Sequence, residues 1–284
     1  MQLNICLLKK ALIFSVFFYA WLFQSYGLAA GACPPQHIDD SARVNYVYDG
    51  DTLQLEDGRK IRLLGIDTPE IFTKHGVLPE EIKRSGEAAK EALKRLLNKS
   101  NQRVGLSFGA QRFDHYQRAL AHVFLPNGTN VQAALIEQGR AIAFTTPPND
   151  RMSHCYQQLE AQAIKQQLGI WSLPQYQLKT TDQLNQASEG FHRLSAQVTR
   201  VWKNNHSVTL VLDNRVSVNI RRYDMANFNV HMLNNLEHKK IQIRGWLHVK
   251  NSVQNTHQSA HQGTQNKTQF SLRLRHPDAI RVLH

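Results

Sequence analysis

The sequence has no apolar run of the length that a membrane-spanning helix needs. Its most apolar stretch, ALIFSVFFYAWLF, is 13 residues long and follows two lysines at the end of MQLNICLLKK, whereas a span needs about 20 such residues. A short apolar run behind a basic N-terminus is typical of a signal-peptide core, and small residues at 30–32 offer a cleavage site. We therefore expect residues 1–32 to be a signal peptide; an anchor helix that stays in place is the alternative.

Cysteine is also scarce, with three residues in 284. Cys6 lies in the predicted signal peptide, which leaves Cys33 and Cys155 in an exported chain. In an oxidising compartment, such a pair most simply forms a disulfide. Two alternatives stay open: Cys155 as a buried thiol, and a lipid on Cys33, because AGAC loosely resembles a bacterial lipoprotein cleavage site.

Acidic residues are few toward the C-terminus. Residues 33–185 hold 18 Lys and Arg against 17 Asp and Glu, whereas residues 186–284 hold 14 against 5, so most of the net charge of +12 belongs to the second segment. A basic balance favours polyanions such as nucleic acid or an anionic membrane. In this segment Trp202, Tyr223 and Phe228 are candidates for stacking on bases, but core packing is the favoured interpretation of each. Its nine histidines match no metal-ligand spacing.

The chain shows no internal repeat, and its length after position 32 predicts two domains. In the first, residues 33–173, strand patterns at 43–66, 103–109 and 119–125 alternate with helical patterns at 84–99, 130–139 and 151–168. A polar stretch, 174–188, is predicted to be a linker. The second domain, 189–284, has five short strand patterns and one helix, which predicts a small OB-like β-barrel. Its insert KNSVQNTHQSAHQGTQNK predicts a loop.

The stretch YDGDTLQLEDGRKIRLLGIDTPE, Tyr48 to Glu70, gathers acids around an apolar strand. A hairpin turning at Asp57-Gly58 would place Asp51 about opposite Leu64 and so near Asp67. Glu70 follows on the next loop. Carboxylate oxygens at one point are the ligands that Ca²⁺ prefers, and a Mg²⁺ site would have a similar pattern.

Arg62 lies in the same hairpin, beside these acids. An arginine next to a bound cation is repelled unless an anion lies between them. A phosphate supplies that anion and accepts the planar guanidinium group through two hydrogen bonds. Asp49, which precedes Gly50, is interpreted as a turn residue and not as a ligand.

Six motifs occur in the order seen in the staphylococcal-nuclease (thermonuclease) family, which the chain resembles over about residues 41–173. They are DGDT (49–52), IRLLGIDTPE (61–70), FDHYQRALAHVF (113–124), LIEQGRA (135–141), EAQA (160–163) and IWS (170–172). The resemblance implies an OB-type five-stranded barrel with three helices and a Ca²⁺-dependent phosphodiesterase activity. With the second barrel, the expected fold class is α+β, mainly β.

The resemblance also implies a role for each matching residue. By this resemblance, Asp51 and Asp67 are carboxylate ligands of Ca²⁺, and Thr68 is a ligand through its main-chain carbonyl. Arg62 and Arg118 bind the scissile phosphate. Glu70 orients or deprotonates the attacking water, and Tyr116 is part of the nucleotide site. His115, which we place with Tyr116, stands where the staphylococcal protein has a lysine, and Gln117 stands where it has a glycine. The loop FTTPPND does not clearly supply the base-stacking tyrosine of that protein.

These observations predict an exported, sugar-nonspecific nuclease that cleaves DNA and RNA with Ca²⁺ and leaves 3′-phosphate ends. We expect a monomer in the periplasm or the medium, without a stable membrane partner; the sequence indicates no protein partner. The alternative is a catalytically weak protein of the cell envelope that binds nucleic acid or another anionic polymer, in particular through the basic second domain.

Overall fold

The computed structural model describes residues 32–73, 78–250 and 269–283. The predicted signal peptide, apart from Ala32, and nearly all of the Gln/Asn/His-rich insert lie outside these residues. Within them, no helix is both long enough and apolar enough to cross a membrane.

Five strands close the first barrel in the order β1-β2-β3-β6-β5. β3 and β6 run parallel, and the other neighbours run antiparallel. The elements are β1 (Asp40–Val47), β2 (Thr52–Leu55), β3 (Lys60–Leu63), a short β4 (Ile66–Asp67), α1 (Glu80–Asn98), β5 (Arg103–Phe113), β6 (Ala119–Phe124), α2 (Val131–Glu137), a short β7 (Ile142–Ala143) and α3 (Ser153–Lys165). The predicted barrel with three helices is confirmed.

The β2–β3 hairpin differs by one residue from its predicted register. Gln54 pairs with Lys60, and Gly58 takes a left-handed φ of +87°, a conformation that glycine adopts at little cost. The loop therefore has three residues, 56–58, where the sequence predicted a two-residue turn. As a result Asp51, whose carbonyl accepts from the Leu63 N–H at 2.8 Å, lies opposite Leu63 and not Leu64.

The second barrel repeats the strand order of the first. Its ring β9-β10-β11-β13-β12 closes on β9, and β11 and β13 are parallel. The elements are β8 (Leu178–Thr180), β9 (Gly190–Lys203), β10 (Ser207–Leu212), β11 (Val216–Arg221), α4 (Val230–Asn234), β12 (Lys240–Val249), β13 (Phe270–Leu274) and β14 (Ile280–Val282). Inward Val, Leu and Ile alternate with outward polar residues, as a one-sided core requires. The predicted OB-like second barrel is confirmed.

The segment predicted to be a linker packs against both barrels. Tyr176 is buried beside Trp171 and Phe191, β8 pairs with β9, and Leu184 belongs to the core of the second barrel. Residues 174–188 thus form an ordered connection.

A buried ion pair joins the two barrels. Arg244 of β12 donates to both carboxylate oxygens of Glu160, one of them at 3.0 Å, and to the carbonyl of Ala143. Glu160 is 3% exposed in its side chain, and its Oε1 also accepts from the Ala143 N–H at 2.8 Å. Beside this pair, the Trp246 ring contacts Phe144 and Phe191. The second barrel therefore holds β7 of the first.

A disulfide attaches the start of the described chain to α3. Cys33 and Cys155 are bonded, with their Cα atoms 5.8 Å apart. Asn130, the N-cap of α2, donates to the Cys33 carbonyl at 3.0 Å and accepts from Tyr156 at 3.1 Å. The polar network and the disulfide therefore both attach the chain at Cys33 to α2 and α3.

The Arg244→Met variant should destabilise the protein by about 3–5 kcal/mol, because it leaves the buried Glu160 carboxylate without its cation. The double variant Arg244→Met/Glu160→Gln should recover most of that loss, since glutamine can still accept from Ala143. Urea denaturation of both variants measures the free energy of unfolding. A single variant within about 1 kcal/mol of wild type would contradict a buried, energetically coupled pair.

Replacing both Cys33 and Cys155 by serine should lower stability, because the bond closes a loop with a sequence separation of 122. Chain-entropy models give about 4–5 kcal/mol for such a loop, and measured losses are often smaller. The melting temperatures of oxidised and reduced wild type provide the matched control. Two freely alkylated thiols in the native, non-reduced protein would contradict the disulfide.

Candidate active site

Asp51 is held at the start of β2 by three donors. Its Oδ2 accepts from the Thr68 N–H at 2.9 Å and from the Thr68 hydroxyl at 3.0 Å, and its Oδ1 accepts from the Thr52 hydroxyl at 3.1 Å. The side chain is buried. These contacts fix the carboxylate and also hold the Thr68 main chain beside it.

Arg62 bridges the two acids that the sequence singled out. Its Nη2 donates to Asp67 Oδ1 at 2.8 Å, and its Nη1 lies 3.2 Å from Asp51 Oδ1. The same Nη1 donates to the carbonyls of Leu63 and Ile66, each at 3.0 Å. With two carboxylates and two main-chain carbonyls around it, the guanidinium group has one well-defined position.

Four carboxylates crowd around this single guanidinium group. Burial, and then the charges of Asp51 and Glu70, raise the pKa of Asp67 to about 8 against the lowering effect of Arg62. Burial and Asp51 likewise raise the pKa values of Asp49 and Glu70. The cluster therefore carries more negative charge than its arginine can balance.

The chemistry of these donors fits a hard divalent cation. Asp51 and Asp67 would supply carboxylate oxygens, and Thr68, whose N–H and hydroxyl donate to Asp51, would supply its main-chain carbonyl. Among the described residues no three Asp, Glu, His or Cys side chains converge as a metal site. A cation here would thus use two carboxylates, a carbonyl and water, a set that Ca²⁺ accepts.

Arg118, the residue before β6, approaches the cluster and is oriented by Asp114. Its Nε donates to Asp114 Oδ2 at 2.7 Å, its N–H donates to Asp114 Oδ1 at 2.9 Å, and its Nη1 lies 3.4 Å from the Thr52 hydroxyl. Thr52 pairs with Arg62 across the hairpin, so the two arginines flank one strand position. Asp114 was not predicted to be a site residue, although an Asp four residues before an Arg at a turn is a recognisable signal.

The turn between Asp114 and Arg118 carries the predicted nucleotide-site residues. Tyr116 is 66% exposed, with Arg118 5.5 Å from its ring centroid and the His115 ring at 3.8 Å. Gln117 adopts a left-handed φ of +62°, which explains why a glycine suits this position in the family that the sequence resembles.

Glu70 lies on the loop after β4, exposed at the edge of the cluster. Burial and the charges of Asp51 and Asp49 raise the pKa of Glu70, and the charges of Arg62 and Arg118 offset part of that rise. α1 packs closely on this loop at Gly86, where an added Cβ would lie 2.5 Å from the Pro69 carbonyl oxygen. The glycine thus lets the helix support the main chain that carries Glu70.

Asp49 has a larger part in the cluster than the sequence indicated. Its Oδ1 accepts from the Asp51 N–H at 3.0 Å, which is the turn role expected of it. The charge of Asp49 also raises the pKa values of Asp67 and Glu70. The position of Asp49, two residues before the candidate ligand Asp51, is the sequence feature that could have assigned Asp49 to the site.

Comparison with known proteins gives one family. Residues 60–173 match the model described as staphylococcal nuclease homologue. Thermonuclease of Staphylococcus intermedius is 37% identical over 136 residues, which are 46% of this chain and 76% of that protein. Endonucleases YhcR and YncB of Bacillus subtilis are 33% and 32% identical over 45% of this chain. The match spans 11% of YhcR and 60% of YncB, less than two thirds of either length.

The Asp67→Asn variant should remove a pH dependence from the stability of the metal-free protein. The folded pKa of about 8 lies above the ordinary value of 3.8, so the stabilising contribution of Asp67 is present at low pH and is lost as pH rises toward 8. In chelator, the unfolding free energy of wild type minus that of the variant should fall between about pH 5 and about pH 8.

Asp150→Asn, which removes an exposed carboxylate of the same barrel, is the matched control and should show no such trend. Urea denaturation at several pH values provides the measurement. A wild-type-minus-Asp67→Asn difference that stays constant with pH would contradict the crowded cluster.

Proposed function

Because this chain belongs to the staphylococcal nuclease family and therefore has a nuclease function, we propose that it is an exported, Ca²⁺-dependent enzyme that hydrolyses phosphodiester bonds of DNA and RNA. The observation that carries the proposal is the position of Arg62 between Asp51 and Asp67. A guanidinium group placed among metal-ligand carboxylates suits an anion that binds both a metal and arginine, and a phosphodiester is such an anion.

Asp51, Asp67 and the Thr68 carbonyl would hold the Ca²⁺. When bound, the ion supplies positive charge that stabilises the extra negative charge on the phosphoryl oxygens. This proposal is supported by the contacts of Arg62 with both carboxylates and by the Thr68 hydrogen bonds, which keep Asp51 from turning away. A Mg²⁺ ion, which requires stricter octahedral geometry, suits this set less well.

Arg62 and Arg118 would bind the phosphate oxygens from two sides. Each is oriented by an acid: Arg62 by Asp67 at 2.8 Å and Arg118 by Asp114 at 2.7 Å. Preorganised cations need little rearrangement as negative charge develops in the transition state. This arrangement requires a phosphate and no particular base, so it serves DNA and RNA alike.

Glu70 would accept a proton from the attacking water. The water oxygen forms the new bond to phosphorus, the bond to the 5′ oxygen breaks, and the departing 5′ oxygen takes a proton from solvent water, so that the products are a 3′-phosphate and a 5′-hydroxyl. The pKa of Glu70 is raised and so lies closer to neutral pH than the pKa of an ordinary glutamate. A pKa near the working pH favours proton transfer by a general base. Such a role contributes typically about 10²–10⁴-fold to the rate.

Export is supported by the apolar N-terminal run behind two lysines and by the Cys33–Cys155 bond. Disulfides persist in oxidising compartments. We propose that the enzyme acts in the periplasm or the medium, as a monomer.

Purified protein of residues 33–284 should cleave both DNA and RNA in the presence of Ca²⁺. Cleavage should stop when EGTA is added. Product ends identified by mass spectrometry should carry 3′-phosphates. Full activity in EGTA, or only 5′-phosphate ends, would contradict the proposed mechanism.

Arg62→Ala and Arg118→Ala should each lower kcat by orders of magnitude, because each removes a cation from the transition state. Arg95→Ala, which removes an exposed arginine of α1, is the matched control and should leave kcat unchanged. Circular dichroism establishes that each variant folds. Unchanged turnover in either site variant would remove that residue from the mechanism.

A further inference from the structure

The strands of the second barrel carry positive charge and no acid. β9 to β13, all within the described residues, contain seven Lys or Arg and no Asp or Glu. The acids of residues 186–284 lie outside these strands: Glu189, Asp213, Asp224 and Glu237 in turns and loops, and Asp278 in the short 3-10 helix Pro277–Ala279. Any strand surface of this barrel therefore favours an anionic ligand.

Strand register aligns four outward side chains in one row. Trp202 of β9 pairs with Thr209 of β10, Thr209 pairs with Asn219 of β11, and Asn219 pairs with Arg273 of β13. The alternation of burial along β10, β11 and β13 directs these side chains away from the core. Because adjacent strands are about 4.8 Å apart, the row spans about 14 Å.

Exposed aromatic rings accompany this row. Trp202 is 45% exposed and Tyr223 is 61% exposed. The Arg200 guanidinium lies 5.5 Å from the Trp202 ring centroid, and the Arg273 guanidinium lies 5.1 Å from that of Tyr223. Phe228, the third aromatic residue that the sequence offered, is buried in the core instead. Large exposed rings paired with arginines provide surfaces on which bases can stack.

The positive charge at the Arg273 end exceeds the acid beneath it. Arg273 donates to Asp224 at 2.7 Å, and Arg275 lies 3.6 Å from the other oxygen of the same carboxylate. One acid thus faces two arginines. Arg273 also lines a cleft of about 170 Å³ together with Phe144 of the first barrel and Trp246 of the second, so the row continues toward the barrel that carries the candidate active site.

We propose that this face, formed by Trp202, Thr209, Asn219 and Arg273 with Arg200 and Tyr223, binds single-stranded nucleic acid. Bases stack on Trp202 and Tyr223, and phosphates lie near the arginines between them. Single strands fit because a duplex covers the faces of its bases, which an exposed ring could not then reach. The inference rests on the proposed function, since it adds a second contact surface for the same substrate class.

Binding should be measured by fluorescence anisotropy in EDTA, with a labelled oligothymidylate and with a labelled duplex of equal length. Trp202→Leu should weaken oligothymidylate binding by about tenfold, because leucine keeps an apolar side chain and removes the stacking surface. Trp202→Phe should retain most of the affinity. Duplex binding, which depends on phosphate contacts, should change little in either variant.

Charge is tested by a matched pair of variants. Arg200→Gln should weaken oligothymidylate binding and lower its salt dependence, because fewer phosphate contacts release fewer counterions. Arg281→Gln removes an equal charge from β14, outside the row, and should have the smaller effect. Melting temperatures establish that all variants fold.

Unchanged oligothymidylate affinity in Trp202→Leu, or an equal loss on the duplex, would overturn the inference. So would binding to lipopolysaccharide that requires Trp202 while oligothymidylate binding does not. Because these measurements use EDTA, they are independent of cleavage. Absence of Ca²⁺-dependent cleavage with intact Trp202-dependent binding would overturn the proposed function alone.

Discussion

The Arg62 guanidinium group determines the geometry of the candidate site, because it contacts the main chain and the acids at once. Its bonds to the carbonyls of Leu63 and Ile66 fix the segment between β3 and β4, and its contacts with Asp51 and Asp67 bring together carboxylates that would otherwise repel each other. Burial is the largest cause that raises the pKa values of Asp49, Asp67 and Glu70, and the charges of neighbouring acids add to it; four carboxylates around one arginine leave surplus negative charge. A site with surplus negative charge is destabilising in isolation and becomes favourable when a cation enters.

The second barrel is connected to this geometry through β7. Asp67 and Ile66 of β4 pair with Ile142 and Ala143 of β7, and Ala143 in turn bonds to Glu160 and Arg244. The chain of contacts thus runs from β12 of the second barrel to a candidate metal ligand. An arrangement of this kind makes the second barrel part of the support for the site as well as a separate surface.

Much of the fold and site could be predicted because the signals are local. The hairpin turn, the strand alternation and the order of the motifs lie within short stretches, and the motif residues Asp51, Arg62, Asp67 and Arg118 do come together. Contacts that join distant residues could not be predicted in this way. Arg244 meets Glu160 across 84 positions, and neither residue stands in a pattern that names its partner. The segment 174–188 is polar in sequence, yet two of its side chains, those of Tyr176 and Leu184, are buried. Likewise composition alone could not separate the exposed Trp202 from the buried Phe228.

The central claim is that Asp51 and Asp67 form a Ca²⁺ site whose charge is unbalanced without the ion. Calorimetric titration of Ca²⁺ into the protein of residues 33–284, in buffers of different ionisation enthalpy, tests it most directly. The account predicts a single site that is lost in Asp51→Asn. It also predicts a heat that changes with the buffer near neutral pH, because binding expels the proton that the raised pKa of Asp67 retains. No Ca²⁺ binding, or binding that is unchanged in Asp51→Asn, would contradict the account.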